Sequence, residues 1–186
     1  CKIVGVEPVK GDIVATEVMG DPWDSGDDGE WAEFYNTTNK YLILTGLTYR
    51  DNSSAVIYFP ADSYLAPNSY FVIGASQFLG GNITTGYAAD YYYDRTNGPQ
   101  LSNSGDYICI CTDGKSCDSA NANTLAFRSF VPPEGSSTQF DAATPITMEN
   151  ANKGSNWCET PTKTYGVKIN GSIHYGTPGA PNEACP

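Results

Sequence analysis

Seven carboxylates, Glu17, Asp21, Asp24, Asp27, Asp28, Glu30 and Glu33, fall within 17 residues, and no Lys or Arg occurs between Gly11 and Asn39. Hard cations such as calcium take about six to eight oxygens from flexible, carboxylate-rich loops. Residues Asp21 to Glu30, with Glu17 beside them, are therefore the candidate metal site, and calcium is the cation they would take. The spacing is not that of an EF-hand: counted from Asp24, the third position is Gly26 and the twelfth is Tyr35. With that pattern missing, a solvated loop of ordinary turn residues is the preferred account, and no resident cofactor is expected.

Glu17 and Glu33 lie in stretches that read as strands, and would face one another if those strands pair. In an enzyme two such carboxylates invite general acid and base roles; the plainer account puts them on a wet face or in a backbone network. The chain has no Gly-x-Ser-x-Gly elbow and no His-Glu-x-x-His run. Its one histidine, His174, stands beside Tyr175 in what reads as a loop, as a structural or surface residue. The expectation is a protein without catalysis, a glycan-active enzyme being the distant alternative.

Tyr91, Tyr92 and Tyr93, flanked by Asp90, Asp94 and Asn97, could stack on sugar rings or anchor a protein partner, because tyrosine offers rigid apolar area with a polar tip. Packing in an edge strand accounts for them equally well. Sequons at Asn36, Asn52, Asn82 and Asn170 are potential glycan acceptors, relevant only for a eukaryotic source.

Six cysteines, at positions 1, 109, 111, 117, 158 and 185, show no Cys-x-x-Cys spacing, so disulfides are a better account of them than zinc. Disulfides imply an oxidising compartment: a periplasm, a cell surface or the medium. Asp113-Gly114 supplies a hairpin turn after the alternating stretch Asp106 to Thr112. A loop of Thr112 to Gly114 places Cys109 opposite Cys117, whereas a loop one residue later pairs Cys111 with Cys117, and both remain open. Cys158 with Cys185 would pin a Pro- and Gly-rich tail. Cys1, at the first position, is what cleavage of a bacterial lipoprotein precursor would leave for acylation; a disulfide half or an arbitrary start is the alternative.

The elements that must position these residues are strands. In 186 residues there are 13 Tyr, 19 Gly and 12 Pro, a composition that favours short strands joined by turns. The length suits one domain with its own core. Residues 1 to 11 read as a lead or tether, and 12 to 186 as the domain. Ile13 to Met19 forms the first strand, ended by Gly20-Asp21-Pro22. Trp31 to Tyr35 alternates, with Trp31, Glu33 and Tyr35 on one face and Ala32 and Phe34 on the other, which suits one buried and one wet face. Tyr41 to Tyr49 reads as a core strand with a bulge at Gly46. Ala55 to Phe59 and Tyr70 to Ile73 follow, then a long irregular stretch from 75 to 100 with room for an edge strand. Lys115 to Ser119 is the expected return of the hairpin, and Leu125 to Val131 and Pro145 to Glu149 are further strand candidates. The class is all-β.

The formal charge of -11, from 21 acidic and 10 basic side chains, sets up a field that repels phosphate backbones and anionic headgroups. Nucleic acid is not an expected partner. A membrane is expected only through a lipid on Cys1.

Seven stretches in order resemble the lamin tail domain family: Ile13 to Met19; Gly29 to Asn36; Leu44 to Thr48; Phe59-Pro60 with Leu65 to Pro67; Leu101 to Asp106; Ser155 to Trp157; and Gly176 to Asn182. The resemblance implies an immunoglobulin-like β-sandwich that serves partner contacts in nuclear lamins and acts as an accessory module of exported bacterial proteins. It implies no common catalytic site. The chain lacks a coiled-coil rod and a basic localisation run, so filament and chromatin roles do not carry over. The expectation is an exported surface or periplasmic module that contacts protein or glycan through its loops, with a calcium-dependent adhesion module as the alternative.

Overall fold

The computed structural model describes residues 3–23, 29–75, 89–112, 117–161, 166–169 and 172–186. They form a β-sandwich whose larger sheet is built on β1 (Ile13–Met19), paired antiparallel with β2 (Trp31–Asn36). On the far side of β2 comes β7 (Tyr70–Ala75), and the edge strand β8 (Tyr91–Tyr93) then joins β7 in parallel. On the other side of β1 lie β11 (Thr138–Phe140) and β12 (Trp157–Glu159). The facing sheet has the order β10, β9, β4, β5, made of Thr124–Phe130, Asp106–Cys111, Thr48–Arg50 and Ile57–Tyr58. Two small pairs complete the described strands: β3 (Leu42–Ile43) with β6 (Tyr64–Leu65), and β13 (Gly166–Ile169) with β14 (Ser172–Tyr175).

The two-residue period of the strands places Ala32 and Phe34, with Ile73, in one core with Ile108, Ile110 and Tyr49 of the facing sheet, all fully buried. A register shift at Thr16 decides how β1 fits this core. Ala15 lies opposite Phe34 and Val18 opposite Ala32, so both face the core although they are three residues apart. In a regular strand Glu17 would share the face of Ile13 and Ala15; the extra residue turns it to the outer face, opposite Glu33.

That outer face is not wet. Every residue of β1 is buried, and Trp31 and Glu33 are also sealed, because the C-terminal segment lies across them. Gly176 allows the approach: a Cβ there would sit 2.8 Å from the Trp31 ring and 3.0 Å from a Glu17 carboxylate oxygen. Gln139 Nε2 donates to the Glu183 carbonyl at 2.7 Å, and the Asn182 side-chain amide donates to the carbonyls of Thr16 (2.8 Å) and Phe140 (2.9 Å).

Three local expectations are corrected. Tyr41 to Tyr49 is not one strand: the Leu47 N–H bonds back to the Leu44 carbonyl, Gly46 takes φ +80, and the turn buries both leucines between β3 and β4. The partner of β9 is β10, which begins at Thr124, so the return strand lies beyond 119 and Cys117 sits in the connection. Pro145 to Glu149 leads into a short helix, α1 (Met148–Ala151), because the Thr147 side chain caps it by accepting from the Asn150 N–H. Among the described residues no helix is long and apolar enough to cross a membrane.

Candidate functional site

The outer face of the β1–β2 pair concentrates the ionisable groups. Glu17 and Glu33 are directly opposite in the register, and neither side chain reaches solvent. One Glu17 oxygen accepts from the Ser137 hydroxyl and from the Thr177 N–H (2.9 Å), and the other meets Thr177 Oγ1 at 2.8 Å. Glu33 accepts from Thr16 Oγ1 (2.6 Å) and from the Gly179 N–H (2.7 Å). Two strand carboxylates thus hold two points of one terminal segment.

Burial pushes the Glu17 carboxyl up to about 7, against the donors Ser137 and Thr177 that favour its ionised form. Burial, followed by the charge of Glu17, raises Glu33 well above the usual carboxylate range. Protonated Glu17 can donate to Thr177 Oγ1, which lies 3.2 Å from Asn182 Oδ1, so the extra proton completes a chain of hydrogen bonds. With every described carboxylate oxygen facing protein donors under a covering segment, the pair is arranged to fasten the chain, and no substrate can approach it in this state.

The acidic stretch divides. Glu17 belongs to the buried network above. Glu30, also fully buried, pairs with the Arg95 guanidinium (3.1 Å) and accepts from the Leu101 N–H (3.1 Å). Asp21 is half-buried and accepts from the Asn103 amide at 2.7 Å. Glu17 and Glu30 therefore do not join Asp21 in one loop cluster: Glu17 is turned by strand register to Thr177, and Glu30, just before β2, is held by Arg95 and Leu101. Asp24, Asp27 and Asp28 lie outside the described residues, as does Cys1.

The tyrosine run is an edge strand rather than three outward rings. Tyr93 is buried with its ring 5.8 Å from that of Tyr49. Tyr91 packs 5.6 Å from Phe59, and Tyr92 Oη accepts from the Ala89 N–H at 3.0 Å. Tyr91 and Tyr92 remain half-exposed.

Sequence reasoning underrated His174. It is fully buried in β14, its ring 3.0 Å from where a Cβ on Gly29 would lie, and neither ring nitrogen has a hydrogen-bond partner. Burial lowers its pKa to about 4. The alternation of the strand that carries it was the available signal, hidden by the flanking glycines. Asn36, the first sequon, is also sealed: its amide donates to the carbonyls of Lys40 and Ala66, both at 2.8 Å, and its oxygen accepts from the Thr38 N–H. Asn52 is exposed.

Cys158 of β12 is bonded to Cys185, with Cα atoms 5.9 Å apart, which fastens the covering segment to the edge of the larger sheet. Cys109 is bonded to Cys117, Cα atoms 6.1 Å apart, and Cys111 is a buried free thiol. An open cleft of about 670 Å³ runs between the N-terminal segment and the turn after β2. Val6 and Val9 give it an apolar wall, and Glu7, Asp12, Thr38 and Lys40 give it polar groups.

Compared with known proteins, residues 7–124 match the family model described as Lamin Tail Domain. No curated protein matches the chain. Residues beyond the match supply β11, β12 and the clamped segment.

Proposed function

The chain belongs to the lamin tail domain family, and from that premise we propose that it is a non-catalytic binding or structural module whose loops contact a protein or glycan at a cell surface or in a periplasm. The fold is an immunoglobulin-like sandwich of a generally non-enzymatic kind. The observation that carries the reading is the sealed Glu17–Glu33 pair: the carboxylates best suited to acid–base chemistry are consumed in holding the fold together. Recognition is then left to the loops, and the cleft beside Thr38 and Lys40 is the contact surface we assign to it. The two disulfides support export, and a lipid on Cys1 would supply the tether.

The test is binding of the purified protein to a glycan array and to solubilised envelope proteins, with Thr38→Arg and Lys40→Glu in parallel. Capture of a partner by the wild type, weakened at least tenfold by either change, supports the reading. Turnover of a polysaccharide, or capture indifferent to both changes, sinks it. A calcium-dependent form of adhesion would rest on Asp21, Asp24, Asp27 and Asp28 alone, and its mark is capture abolished by chelation.

A further inference from the structure

Cys109 and Cys111 are two residues apart on β9 and so share its outer face, while Ile108 and Ile110 fill the core between the sheets. Both cysteines are fully buried, and Cys117, half-exposed, comes back over them from the connection to β10. The three sulfurs all lie within 4.8 Å of one another. Cys117 Sγ, bonded to Cys109, is also 3.7 Å from the free Cys111 Sγ. Thr48, opposite Cys111 on β4, places its hydroxyl oxygen 3.1 Å from the same sulfur, where it can donate to a thiolate.

We propose that Cys109, Cys111 and Cys117 form an intramolecular thiol–disulfide exchange centre, in which Cys117 passes between its two neighbours on β9. Hydroxide reaching the cluster past the half-exposed Cys117 takes the proton of the buried Cys111 thiol, and the thiolate attacks Cys117 Sγ. A Cys111–Cys117 bond forms, the Cys109–Cys117 bond breaks, and its electron pair leaves on Cys109 Sγ, which takes up a proton. Nothing is oxidised or reduced overall, so the step needs no external partner. Its consequence is mechanical. The attachment point of the connection moves by two residues, roughly 7 Å along the strand, and the residues enclosed by the bridge change where β9 leads toward β10 in the four-stranded sheet.

The experiment uses the oxidised wild-type chain, incubated at pH 6, 7 and 8, quenched in acid, alkylated at low pH and digested without reduction. Fragment ions from the linked peptides then locate the alkyl group on Cys109 or Cys111. Both isomers are expected, with the approach to their equilibrium faster at each higher pH because the thiolate is the attacking species. A single linkage at every pH and time, or no linkage at Cys117, overturns the proposal. The variants Cys109→Ser and Cys111→Ser give a second measurement. Each should retain the wild-type circular dichroism spectrum and a bridge from Cys117 to the cysteine that remains; a freely alkylated Cys117 in folded Cys109→Ser also overturns it.

Discussion

Glu17 and Glu33 face each other across the β1–β2 pair, and each holds a different point of a segment more than 140 residues further along, Thr177 for the first and Gly179 for the second. Their joint burial makes the clamp sensitive to protons.

Stability should decline with rising pH on account of Glu17. The folded protein binds its proton more tightly than the unfolded chain, so this contribution is fully present below about 4.5 and is lost as pH rises through about 7. The shift corresponds to on the order of 3 kcal/mol. Glu17→Gln keeps an acceptor for Ser137 and a donor for Thr177, imitating the protonated state. Urea unfolding at pH 5 and pH 8.5 should find the variant near wild type at the lower pH and more stable at the higher; a variant weaker at both would refute the protonated clamp.

His174 acts in the opposite direction. Its folded pKa is lowered to about 4 from 6.5, so the unfolded chain takes up a proton first, and stability is lost as pH falls through that window. His174→Phe removes the titration while filling similar space. The melting temperature of the variant should fall less than that of wild type between pH 6.5 and 4.5, and equal slopes would show that burial of the ring carries no titration.

Asn182 should matter more than its place near the end suggests. Asn182→Ala removes both side-chain hydrogen bonds to the carbonyls of Thr16 and Phe140, a loss of roughly 2 to 4 kcal/mol. Thermal unfolding should drop by roughly 5 to 10 °C. Removing the Cys158–Cys185 bridge, which spans a separation of 27 residues, should cost about 3 kcal/mol. If both changes leave the transition unmoved, the segment does not hold the sandwich together.

The two described sequons should behave differently. Asn36→Ala deletes three described donor contacts and the acceptor for Thr38, so it should cost more than about 2 kcal/mol in a chemical unfolding curve. Asn52→Ala, at the surface, should stay within about 0.5 kcal/mol of wild type.

Short-range pattern carried much of this fold into view. The β-branched run Ile13 to Met19, the alternation of Trp31 to Tyr35 and the Asp106 to Cys111 strand are each legible because side-chain period and strand propensity act on neighbouring residues. Their assembly into a family-typical sandwich was legible in the ordered short motifs. The extra residue at Thr16, the division of the acidic stretch between Arg95 and Thr177, the sealing of His174 and the meeting of three sulfurs were not. Each depends on which distant segment comes to cover a face. That choice is made by packing and by the need of buried polar groups for partners, and it leaves no period in the chain.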